Sequence, residues 1–172
     1  MNQWIRLRHQ DDEPAAAAVR RLRVQRVRPG RPETIETFLE DPGLDDAFSI
    51  DSNTVISGDG EMVFIAVLFR RPDVDHAFFS EYWREEHVRF GHLIPHARSY
   101  IQLHADPAAP YDGVCEVAFD SLSDLKAGMS APIVALDARR DEEVFIDHQR
   151  SYGLVCRAES VSAEPAVEAT RR

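Results

Sequence analysis

The chain has 172 residues, 44% hydrophobic and 29% charged, enough for one domain with a real core and short extensions. A net charge of −10 argues against binding a nucleic-acid backbone, since no broad positive surface is available to displace counterions. No apolar run reaches membrane-spanning length, and Met1–Asp12 shows no signal-peptide pattern, so a cytoplasmic protein without membrane contact is expected.

In chain order, residues 1–18 are polar and then alanine-rich, which suggests a leader or a short helix. Leu22–Val27 has strand character and is followed by the break Pro29-Gly30-Arg31-Pro32. Ile35, Phe38 and Leu39 then fall at helical spacing within Glu33–Glu40, and Phe48–Ile56 supplies a second strand. The N-terminal extension, residues 1–60, is therefore expected to hold a strand–helix–strand unit ending at the turn Gly58-Asp59-Gly60.

Met62–Phe69 is an uninterrupted apolar run rich in β-branched residues, as in a central strand buried on both faces. Asp75 then caps a helix whose large side chains, Phe79, Trp83, His87 and Phe90, recur every three or four residues, with Phe78 and Tyr82 on the flank. Gly91 ends it. His87 thus stands on an apolar stripe, where an imidazole must be neutral or well partnered. Ala97–His104 alternates, with Arg98, Tyr100, Gln102 and His104 on one face and Ile101 and Leu103 on the other. Tyr111–Asp120 forms another strand, with Tyr111, Cys115, Val117 and Phe119 on one face and Val114 and Glu116 on the other. Ser121 caps a second helix, interrupted at Pro132. A bend over Val144–His148 and a last strand over Leu154–Ala158 complete the domain, residues 61–160. Residues 161–172 read as a disordered tail. Cys115 and Cys156 lack metal or redox spacing and read as reduced, buried residues.

From residue 62 the order is β-α-β-β-α-β, an α+β, ferredoxin-like arrangement with an antiparallel sheet. The helices cover one face of such a sheet. The other face needs a second sheet, and a homodimer packed sheet against sheet into a two-chain barrel is the economical solution.

Four stretches carry a family resemblance: Phe69-Arg70-Arg71-Pro72; Phe79-x-x-Tyr82-Trp83-x-x-x-His87; Tyr111-Asp112-Gly113-Val114-x-Glu116-x-x-Phe119-Asp120-Ser121; and Phe145-Ile146-Asp147. In this order they resemble the EthD family of the dimeric α+β barrel superfamily. The resemblance covers about residues 62–160. Residues 22–58 invite comparison with residues 114–159, as a degenerate partial repeat that has lost the first half of its module. The resemblance implies a small-molecule protein of degradative or polyketide metabolism. Relatives in the superfamily decarboxylate, cyclise or oxygenate aromatic substrates without a cofactor, in a cavity between sheet and helices that the helix histidine faces.

His87 is therefore the candidate general base or acid, with core packing as the structural alternative. Phe79, Tyr82, Trp83 and Phe90 are candidate walls for a planar apolar ligand, or plain core. Tyr100, Tyr111, Glu116, Phe145 and Asp147 complete the candidate substrate contacts, and Asp147 is preferred over its neighbour His148. The spacing of His87, His92 and His96 across Gly91 and Pro95 does not gather three imidazoles, so no metal site is expected. With no P-loop, GxSxG or dinucleotide fingerprint, no cofactor is expected either. The expected activity is cofactor-independent decarboxylation or cyclisation of an aromatic, polyketide-type substrate. The alternatives are an anthrone- or phenol-type monooxygenase, or a non-catalytic, ligand-binding dimer.

Overall fold

The structure, a computed structural model, describes residues 3–159; the tail at 161–172 lies outside the described residues. Eight strands form one closed barrel: β1 (Gln3–Arg8), β2 (Arg20–Val24), β3 (Thr34–Phe38), β4 (Ala47–Ile56), β5 (Met62–Leu68), β6 (Ser99–Ala105), β7 (Gly113–Phe119) and β8 (Tyr152–Glu159). Around the barrel the order is β1-β3-β2-β8-β5-β7-β6-β4, with β4 pairing back onto β1 and every pair antiparallel.

The C-terminal half follows the expected β-α-β-β-α-β path, with sheet order β8-β5-β7-β6. Strand β5 is central, as its apolar run predicts. Val63, Ile65 and Val67 enter the barrel, where Ile65 stands level with Leu154 on one side and Glu116 on the other. Phe64, Ala66 and Leu68 point outward beneath the helices. Each fully buried Ile or Phe in this core contributes roughly 1.5–3 kcal/mol.

The N-terminal half departs from expectation. Residues 3–8 form a strand, and Thr34–Phe38 forms a strand in place of the expected helix. Three apolar positions at helical spacing are outweighed by pairing of β3 with β1 on one edge and β2 on the other, a geometry that suits Thr and Ile. Leu39, required on the core side of a helix, is 52% exposed. The order here is β4-β1-β3-β2, so each half places its strands fourth, first, third, second. All four strands of this half are present, and the helices between them are missing. The strand–helix–strand unit and the lost half-module are thus corrected to four strands joined by loops.

Two seams, β2–β8 and β4–β6, join the halves. The inner face that was expected to need a second chain is covered by the chain's own strands, because eight strands suffice to close a barrel whose interior side chains can fill. The two-chain barrel is therefore corrected to a single-chain barrel. No helix among the described residues is long and apolar enough to cross a membrane, and both cysteines are free.

Candidate active site

Two helical layers cross the outer face of the C-terminal sheet. The first begins at α1 (His76–Tyr82), capped by Asp75, which accepts a hydrogen bond from the Phe78 N–H at 2.7 Å. It widens into a π-helical turn (Trp83–His87) and ends in α2 (Val88–Gly91). The second is broken at Ala131, where the backbone turns extended: α3 (Leu122–Ser130) precedes the break, and a π-helical turn (Ile133–Ala138) and α4 (Arg139–Glu142) follow it. Such turns loosen the regular backbone pairing and recur at functional sites. Here fully buried Gln102 donates to the Trp83 carbonyl at 2.8 Å, fixing the turn that carries His87. Gly91 allows α2 to lie against the Tyr100 ring, which a Cβ at that position would overlap.

Between the helices and the sheet lies a cleft of two adjoining chambers. The inner one, about 80 Å³, is lined by His87, Trp83, Phe90, Tyr100, Phe64 and Cys115 among others. The outer one, about 320 Å³, is bounded by Arg139, His148, Ser151 and Tyr152. Phe64, Met129, Ile146 and Glu142 belong to both.

His87 is 7% exposed, and its Nδ1 lies 2.8 Å from Asp141 Oδ2. A carboxylate can only accept, so Nδ1 carries the hydrogen and Nε2 keeps its lone pair. The other Asp141 oxygen accepts from Arg89 at 2.6 Å and from the Tyr82 hydroxyl at 3.2 Å. Burial lowers the His87 pKa below its ordinary value, outweighing the upward pull of Asp141, so the ring is neutral at pH 7. The adjacent Glu142 behaves oppositely: burial pushes its carboxyl up to about 7, although Arg139 stands 3.4 Å away and draws it down. A base with a lowered pKa and an acid with a raised one thus wall the same cleft, an arrangement suited to taking a proton at one point and giving one at another.

Asp141 and Glu142 lie in the run Arg139-Arg140-Asp141-Glu142-Glu143, which reads as a solvated charge cluster, and sequence reasoning passed over both. The available signal was their position, just before Phe145-Ile146-Asp147 and after a helix interrupted at Pro132.

Among the other candidates, Trp83, Phe90 and Tyr100 line the inner chamber with His87. Tyr100 is buried, its hydroxyl accepts from Gln102 at 3.2 Å, and burial holds its pKa well above the phenol range, so it remains a neutral phenol. Phe79 and Phe145 are core: their ring centroids lie 5.4 Å apart, and Phe145 supports the His87 ring at 5.2 Å. Tyr82 acts on the site through Asp141.

Three candidates lie away from the cleft. On β7, Cys115 and Val117 face the chambers, so Glu116 faces the barrel interior, where it pairs with Arg20 of β2. Tyr111 precedes β7 and packs in the barrel core, its hydroxyl without a protein partner and its pKa raised by burial. Asp147 accepts from the Gln149 and Arg150 N–H groups at 2.9 and 3.4 Å, an ordinary turn contact. His148, the neighbour passed over, is the one that lines the outer chamber.

Residues 71–149 match the EthD domain family, and no curated protein matches the chain in sequence. Among solved structures, the chain is similar to a candidate monooxygenase from Lactobacillus acidophilus, at 10% identity with 92% of this chain and 93% of the other covered (TM-score 0.53). It is also similar to one from Fusobacterium nucleatum, at 9% identity with coverage of 92% and 91% (TM-score 0.55). A haem-degrading enzyme from Listeria monocytogenes aligns at 11% identity over 91% of this chain and 99% of that one (TM-score 0.48). At these identities the first two likenesses are of fold. The four motifs, their placement around one helix-covered sheet and the sequence match over residues 71–149 agree on a likeness to the EthD domain family.

Proposed function

We propose that the cleft is the active site of an enzyme that moves protons on a small aromatic, polyketide-type substrate, using only the chain's own side chains. One observation carries this reading: the neutral, Asp141-oriented imidazole of His87 opens on a cleft whose junction holds the Glu142 carboxyl. His87 Nε2 takes a proton from an acidic C–H or phenol O–H. In ring closure, the resulting carbanion attacks a carbonyl carbon and Glu142 gives its proton to the new alkoxide. In decarboxylation, the carbanion left when CO₂ departs is protonated by the imidazolium. The aromatic walls exclude water and so strengthen these interactions.

A second reading, oxygenation of an electron-rich phenol or anthrone, starts with the same deprotonation, after which the carbanion passes electrons to O₂. The names of the two fold relatives favour it.

The test is to assay hydroxyaryl and β-keto acids for CO₂ release, ring closure and O₂ uptake. His87→Gln is expected to lower kcat by roughly 10²–10⁴-fold while melting within a few degrees of wild type. Unchanged turnover would remove His87 from the mechanism. Recovery of a bound ligand that the wild type never transforms would favour a binding protein.

A further inference from the structure

The two chambers differ in chemistry and neither suffices alone. At about 80 Å³ the inner chamber is smaller than the roughly 150 Å³ cavity that accepts a benzene ring. A ring placed beside His87 must therefore extend past Phe64, Met129 and Ile146 into the outer chamber. Among the described residues lining either chamber, Arg139 is the one guanidinium, and it stands at the outer side of the junction. One of its terminal nitrogens lies 3.4 Å from Glu142 Oε2, and its side chain is 56% exposed, leaving further N–H donors for a ligand. His148 lines the same chamber; neither of its ring nitrogens has a hydrogen-bond partner in the protein, and Nε2 lies 3.7 Å from Glu142 Oε2.

We propose that the cleft selects aromatic carboxylic acids, with the ring lying across the two chambers and the carboxylate held by Arg139 with His148 beside it. This rests on the cleft being a ligand site, as the proposed function requires. A planar guanidinium fork matches a carboxylate in shape as well as charge. The ring's opposite edge then faces His87 Nε2. The carboxylate held at Arg139 is a recognition handle that stays on the product, and the proton His87 removes comes from the far side of the ring.

The experiment is calorimetric titration of the full-length protein at pH 7 with 2-naphthoate and with 2-naphthol, which share a ring system and of which only the acid is anionic. Wild type is expected to bind the acid about 5- to 30-fold more tightly, the range for a partly exposed charge-assisted contact. Arg139→Gln is expected to erase that preference while changing 2-naphthol affinity less than two-fold, and Arg139→Lys to restore part of it. Equal affinity for the two probes, or equal weakening of both by Arg139→Gln, would overturn the carboxylate assignment and leave the proposed active site standing. Binding of neither probe would overturn both.

Discussion

The two halves of the barrel place their strands in the same order and close their outer faces by different means. On the N-terminal side, the outer face of β3 carries Glu36, which is fully buried. It is held by Arg6 and Arg21 at 3.3 Å each, by Arg8 at 4.0 Å and by the Ala15 N–H at 3.2 Å, contributed by the loop after β1. No helix lies there among the described residues, and Arg6, Arg21 and the Ala15 N–H meet the carboxylate at hydrogen-bond distance, while Arg8 Nε at 4.0 Å has no hydrogen-bond partner. On the C-terminal side, two helices rest on Trp83, Phe79, Phe145 and Phe119 and stand off the sheet by the thickness of those rings. Side chains that reach across such a gap leave space between them; ion pairs at contact distance do not. The half with helices therefore holds the cleft, and the other supplies the second wall of the barrel.

Breaking the ion-pair cluster should produce the largest effect. Glu36→Ala leaves three guanidinium groups around an empty carboxylate position and is expected to destabilise the fold by about 3–5 kcal/mol in urea titration. A cost below about 1 kcal/mol would mean that the cluster behaves as a surface network. On the cleft side, Asp141→Asn should leave stability nearly intact and lower turnover by about 10²-fold, because an amide can hold His87 in the wrong tautomer. If Asp141→Asn were as active as wild type, the imidazole would need no orienting partner.

Glu142→Gln sharpens the contrast through pH. The Glu142 carboxyl is raised in the folded state to about 7, so its protonated form is the stabilised one. That contribution is complete below the unfolded value near 4.5 and is lost as pH rises through 7. The glutamine variant should therefore gain roughly 1–3 kcal/mol over wild type between pH 5 and pH 8, read from melting curves at both values. It should also lose the alkaline limb of the pH–rate profile. Parallel melting curves at the two pH values would contradict the raised carboxyl. The smallest effect is expected in the barrel core, where Tyr111→Phe removes a buried hydroxyl that has no protein partner. Stability should be unchanged or raised by up to about 1 kcal/mol, and a clear loss would point to a water bridging that hydroxyl.

Much of the C-terminal half was legible in residue order alone. The apolar run of β5, the Asp75 and Ser121 caps and the alternation of β6 are local patterns, and local physics decides them. The grouping of Trp83, His87 and Phe90 on one helix face was readable for the same reason, whereas the alternation that set Tyr100 beside Arg98 and Gln102 did not say which face turns inward. In the N-terminal half β2 and β4 were readable as strands, but β1 and β3 were not, because Thr34–Phe38 and Gln3–Arg8 become strands only when each finds the other to pair with.

Sequence by itself determined where the helix stops, which residues alternate and which histidine stands on an apolar face, since each depends on neighbours within a turn or a strand. Tertiary structure decided that the barrel closes within one chain, that Glu116 faces away from His87, and that Asp141, 54 residues distant, orients the imidazole. A carboxylate in a charged run becomes an acid or a positioning group only when folding removes its water, and burial is a property of the assembled layers.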